Sequence, residues 1–186
     1  MRILFALFFS LSAYGQSLQG CGPALSIEDF KQLVNEVREE HFPELINENI
    51  RLTTFRSDAY FMQANPMVKT LLGKKAKRIY NLELNLQLLE CPPNPEALKG
   101  ILAHELEHIK DYTRWGTAQI AVHGASYATN LKGRIKYERA TDQKTVDMGL
   151  GEGLAQYREW IYQRLTPKEL QIKRRIYLTP EEIRNQ

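Results

Sequence analysis

The chain has 186 residues, 43% of them apolar and 25% charged, with a formal net charge of +3. That length holds one domain with a sizeable core and is short for two. The composition is that of a globular protein, excludes a disordered chain, and carries too little excess charge to suggest a nucleic-acid partner, although Lys168 to Arg175 is locally basic.

The N-terminus reads differently from the rest. Arg2 precedes the apolar run Ile3 to Leu11, and Ala13 and Gly15 place small residues at the two positions a signal peptidase reads. This predicts a leader, residues 1–15, cleaved after Gly15, since the run is short for a bilayer span. Residues 16–186 would then form one exported domain, periplasmic or secreted, with no transmembrane segment. Leu18-Gln19-Gly20-Cys21 also resembles a lipobox, with lipid attachment at Cys21 as the lesser alternative. Without residues 1–15 the chain carries 24 Lys and Arg against 22 Asp and Glu. An even cysteine pair in an exported protein predicts a Cys21–Cys91 disulfide, worth roughly 3 kcal/mol or more for so long a loop.

Ser26 with Asp29 makes a helix start, and Ile27, Phe30, Leu33, Val34 and Val37 form one apolar stripe, which predicts a helix from Ile27 to His41. Asn49 to Phe55 and Ala59 to Met62 read as strands, with a turn at Ala64-Asn65-Pro66 and a short helical piece from Val68 to Leu72. Gly73 to Lys77 reads as a basic loop. Arg78 to Leu86 alternates best, with Tyr80, Leu82, Leu84 and Leu86 on one face, and is expected to be a half-buried strand at a sheet edge. Asn94 then caps a helix with Pro95 at its first position, running to about Arg114. Thr117 to Lys132 and Tyr137 to Met148 read as helices, Gly149 to Gly153 as a flexible break, and Leu154 to Tyr162 as a further helix. Thr166 and Thr179, each followed by Pro, open two more.

The helix after Asn94 carries His104-Glu105-Leu106-Glu107-His108. Residues four apart share a helix face, so His104 and His108 can present two imidazoles to one zinc ion, with Glu105 placed to take a proton from a zinc-activated water. A catalytic zinc takes three protein ligands. A third His six residues past His108 is excluded, because Arg114 stands there. Glu138 is the better candidate: Glu138 and Asp142 share a face of the predicted helix from Tyr137 to Met148, the first suited to bind metal and the second to accept a hydrogen bond from a ligating imidazole. His123, Asp142, Asp147 and Glu152 are the alternatives for that third ligand.

Asn94 to Ile109 resembles the first active-site helix of gluzincin peptidases, especially those similar to HtpX and the CAAX-prenyl proteases. The resemblance spans roughly residues 78–150. It implies an α+β, mostly helical zincin-like domain with a small antiparallel sheet whose edge strand precedes the motif helix. It also implies one Zn2+ on His104, His108 and Glu138, Glu105 as general base and Asp142 as support. The family's Glu-x-x-Ala-Asp becomes Glu138-Arg139-Ala140-Thr141-Asp142 here, with Ala140 one place early. The implied function is a zinc endopeptidase acting on a polypeptide, which could lie along the strand from Ile79 to Leu86. His123, Tyr127, Arg139 and Tyr157 are candidate donors to the reacting carbonyl. The competing readings are a non-catalytic zinc-stabilised binding protein and a metal-free helical interaction module.

Overall fold

The structure is a computed structural model that describes residues 21–186. The leader and all of the lipobox except Cys21 lie outside the described residues. Helix α1 (Ile27–His41) is followed by strands β1 (Asn49–Phe55), β2 (Met62–Pro66) and β3 (Ile79–Asn85), and by a short helix α2 (Leu86–Glu90). Then come α3 (Pro95–Arg114), α4 (Thr117–Thr129), α5 (Leu131–Thr145), α6 (Gly151–Tyr162), α7 (Pro167–Ile176) and α8 (Pro180–Arg184). Among the described residues helix accounts for 66%, beside one three-stranded sheet, which is the expected mostly helical α+β class. Among the described residues no helix is long and apolar enough to cross a membrane.

The central element is α3. The Asn94 side chain accepts from the Ala97 N–H at 2.8 Å and Pro95 occupies the first position, so the helix starts where the sequence places it. From Ala97 to Ile109 only Lys99 escapes full burial. A helix apolar on one stripe alone would leave its other face wet; α3 is enclosed by α6, α5, α1 and β2, so its polar residues are also inside. The closest approach is to α6. A Cβ added at Gly100 would lie 2.2 Å from the backbone N of Leu154, and one at Gly153 would lie 2.2 Å from the carbonyl O of Glu96. Backbone meets backbone there, and only glycine on both sides permits it.

That contact corrects the reading of Gly149 to Gly153 as a flexible break. Gly149 takes a positive φ of 83° within a wide helical turn, Val146–Leu150, while Gly151 and Gly153 belong to α6. The glycines provide a kink and a tight helix crossing. Likewise α5 begins earlier than expected, because Asn130 both ends α4 and caps α5 by accepting from the Gly133 N–H at 3.0 Å.

The sheet differs from expectation in two ways. Its order is β1-β3-β2, with β1 parallel and β2 antiparallel to β3, so the sheet is mixed and the strand before the motif helix is central. Alternation reports that one face of a strand is solvated; it carries no information about its edges. Tyr80, Leu82 and Leu84 indeed face the core, whereas Asn81 and Glu83 face Asn65 and Gln63 of β2. The edges are β1 and β2, and β2 is displaced from the expected 59–62, running through the residues read as a turn. Pro66 fits an edge position, having no N–H to give to a ladder. The Cys21–Cys91 bridge is formed, with Cα atoms 4.8 Å apart across 70 residues. Closing a loop of that length contributes about 4 kcal/mol in the chain-entropy account.

The glycine contact is testable. Gly100→Ala and Gly153→Ala should each lower stability by about 3 kcal/mol, or roughly 6–12 °C in Tm for a domain of this size. Gly124→Ala is the contrast: it sits in α4 with open space around its Cβ position, so better helix propensity should hold or slightly raise the Tm. Thermal unfolding followed by circular dichroism distinguishes the two cases.

Candidate metal centre

The site forms where α3 meets α5. His104 and His108 lie one turn apart on α3, and Glu138 projects from α5. All three side chains are buried. The two Nε2 atoms stand 3.1 Å apart, and Glu138 Oε2 lies 3.2 Å from His104 Nε2 and 3.4 Å from His108 Nε2. Glu138 Oε2 has no well-aligned hydrogen-bond donor, although it is fully enclosed. Buried acceptors rarely go unsatisfied. Three donor atoms on a common triangle, one of them orphaned, describe a group able to hold a metal ion.

The dimensions fit zinc. Zinc bonds nitrogen and oxygen at about 2.0–2.2 Å in tetrahedral sites, which separates ligand atoms by about 3.3–3.5 Å. The three observed separations of 3.1–3.4 Å fall at or just below that edge length. Among the described residues no fourth His, Cys, Asp or Glu joins the group, so one position is left for another molecule.

Both imidazoles are oriented from behind. His104 Nδ1 lies 2.8 Å from Asp142 Oδ1. That carboxylate also accepts from Arg158 Nη2 of α6 at 2.9 Å, and its other oxygen from the Leu178 N–H at 2.8 Å. On the other side His108 Nδ1 lies 3.0 Å from the Tyr137 hydroxyl, which donates to Asp111 Oδ2 at 3.2 Å. Lys144 Nζ stands 3.2 Å from the second Asp111 oxygen. With Asp142 beside His104 Nδ1 and the Tyr137 hydroxyl beside His108 Nδ1, each Nε2 is turned toward the metal position. The Tyr127 hydroxyl donates to Glu138 Oε1, which leaves Oε2 free for metal.

The electrostatics follow from this packing. Burial disfavours the charged form of His104, but the Asp142 and Glu138 carboxylates outweigh it and hold its pKa up at about 10. Burial likewise opposes ionisation of Glu138, yet the two imidazoles hold its carboxyl well below the usual range. Asp142 is lowered against its burial by Arg158 and then His104. Burial beside these carboxylates pushes the Tyr127 and Tyr137 hydroxyls up, so both remain neutral donors.

Glu105 is buried at the floor of a cleft of about 810 Å³. The metal triad, β2, the aromatic residues of α4 and the end of α7 border the same cleft. His123 is not a ligand; it packs on Tyr137, with ring centroids 4.4 Å apart. Asp147 hydrogen-bonds Gln143 on the surface, and Glu152 pairs with Arg184, so neither reaches the centre. Of the donors read from sequence, Arg139 faces away and binds Glu182, whereas His123, Tyr127 and Tyr157 border the cleft. Sequence reasoning missed Tyr137, Asp111, Arg158 and Lys144. Asp111 lies three residues past His108, and Tyr137 adjoins Glu138, so one-turn spacing could have raised both; Arg158 gave no local signal.

Comparison with known proteins found no matching family model, no matching curated protein and no matching solved structure.

Two outcomes test the centre. Glu138→Ala should abolish stoichiometric zinc binding, and Asp142→Asn should weaken it by about 10–100-fold, as read by competition with a fluorescent chelator, and also lower the Tm because it leaves the buried Arg158 charge unpaired. Metal binding needs a neutral imidazole, whereas metal-free His104 keeps its proton up to about pH 10. Apparent zinc affinity should therefore rise by about tenfold per pH unit across neutrality, with one proton released per ion in calorimetry run in two buffers.

Proposed function

We propose that this protein is a zinc-dependent endopeptidase. The observation that carries this reading is the three-donor triangle in the lining of a cleft that Glu105 also lines. Structural zinc sites are closed by four protein ligands; a three-ligand site with a neighbouring carboxylate suits chemistry on a bound molecule. Retention of Glu105 supports the same reading, since metal stabilisation alone has no use for it.

His104, His108 and Glu138 would hold the ion, which would supply Lewis acidity at a peptide carbonyl and lower the pKa of a water. Glu105 takes one proton from the attacking water as its oxygen bonds to the carbonyl carbon. It then passes that proton to the amine as the C–N bond breaks, so the reaction consumes one water and regenerates the carboxylate. Tyr157 and His123 border the cleft as donors to the carbonyl oxygen. Tyr127 and Tyr137 position the metal ligands.

Substrate placement is revised from the strand at 79–86 to β2. Both edges of β3 are taken by β1 and β2, so no peptide can pair with it. β2 pairs on one side only and borders the cleft with Met62 to Pro66. An extended peptide adding to that edge would cross the metal position.

Glu105→Gln should retain one zinc per chain and lose at least about 10³-fold in kcat on an unfolded protein substrate. Full loss of zinc in that variant, or undiminished hydrolysis, would each remove Glu105 from the proposed role.

A further inference from the structure

The cleft has a cationic wall that the proposed hydrolysis does not use. Arg134 of α5 and Lys173 of α7 both line it. Among the described residues neither side chain forms an ion pair, although Arg and Lys elsewhere in the molecule pair extensively. Their immediate neighbours are aromatic faces. The Lys173 ammonium lies 4.5 Å from the Tyr60 ring and 5.3 Å from the Tyr177 ring, and the Arg134 guanidinium lies 5.5 Å from the Tyr127 ring. Arg134 Nε is buried with no hydrogen-bond partner.

Each cation stands one aromatic side chain away from the metal group. Tyr127 donates to Glu138, and the Tyr177 ring is 5.9 Å from that of His104. Arg158, the other cation on this wall, is committed to Asp142 at 2.9 Å. Of the carboxylates near the wall, Glu138 is committed to the metal position and Asp142 to His104 and Arg158, while Glu105 shares the cleft and acts on Lys173 through space without forming an ion pair with it. A half-buried lysine and a half-buried arginine without ion-pair partners are costly to keep charged, and two such cations lining a substrate cleft form a receptor for an anion.

We propose that Arg134 and Lys173 form an anion subsite of the substrate cleft, selecting peptides that place a carboxylate one aromatic residue's breadth from the scissile bond. This rests on the peptidase reading for the word "scissile", but the recognition itself needs only binding. The carboxylate belongs either to an Asp or Glu side chain or to a free C-terminus, since both offer two acceptor oxygens to the same two donors. Burial, followed by the nearby Arg158 charge, draws the Lys173 pKa down to about 8, which keeps the ammonium charged at neutral pH.

The test is binding of matched fluorescent peptides to the zinc-loaded full chain, followed by anisotropy at low and high salt. Peptides would differ only in Glu against Gln at successive positions, each made with a free and an amidated C-terminus. The expected result is about tenfold or more tighter binding of the carboxylate form, weakening with salt. Lys173→Met and Arg134→Gln should each remove most of that preference, and Lys173→Glu should favour peptides carrying Lys instead. Loss of selectivity on amidation assigns the group to a C-terminus, and loss on one Glu→Gln change assigns it to a side chain. Equal affinity for Glu and Gln peptides at every position and both termini would overturn the proposal, as would a preference untouched in both single variants. Selective binding with no cleavage of any peptide would sink the peptidase reading and leave the anion subsite standing.

Discussion

The structure depends on one buried carboxylate. Asp142 is fully enclosed on α5, and its two oxygens meet the His104 imidazole of α3, the Arg158 guanidinium of α6 and the backbone N–H of Leu178 between α7 and α8. An unpaired charge at that depth would cost several kcal/mol, so each partner is obligatory for the others. Arg158 is itself enclosed, with the Tyr177 ring 4.3 Å below its guanidinium. The group that orients a proposed metal ligand is therefore also the group that docks the C-terminal helices. Folding and site geometry share a single hydrogen-bonded cluster.

Around that cluster, α3 carries an unusual load. His104, Glu105, Glu107 and His108 are all buried in one helix, and His104, Glu107 and His108 are each matched by a side chain from outside it. Glu107 meets Lys110 at 2.7 Å and Lys144 at 3.4 Å, while Lys110 also reaches Glu44 beyond α1. Lys144 in turn reaches Asp111, which holds Tyr137 behind His108. The two imidazoles are thus backed by separate networks, one ending in Arg158 and one in Lys144. A core with this many polar atoms gains less from packing than an apolar one, and the disulfide and capping boxes offset part of the difference.

Much of this was legible in the sequence. The apolar stripe of α1, the Asn94-Pro95 start of α3 and the Thr166 and Thr179 capping boxes are local signals, and local structure obeyed them. The His104, His108 and Glu138 convergence was also readable, because helical spacing puts both imidazoles on one face and fixes the distance from Glu138 to Asp142. What could not be read was anything set by a partner distant in sequence. β3 became central because β1 and β2 flank it, and nothing within 79–85 records its neighbours. Met62 to Pro66 has no alternation, yet pairing with β3 makes it a strand. The Gly149 to Gly153 segment looked loose because its ligand, the backbone of α3, is fifty residues earlier in the chain.

That same glycine contact has a meaning beyond packing. Gly100 precedes His104 by one helical turn, and Gly153 faces it from α6, so the spacing of the two helices and the height of the imidazoles are set together. Neither position can take a larger residue without moving the other helix, whereas Gly116 and Gly124 have open space at their Cβ positions. A methyl group at either glycine would push α6 away from α3 and carry Arg158 with it, so two residues that touch no proposed ligand govern how Asp142 meets His104.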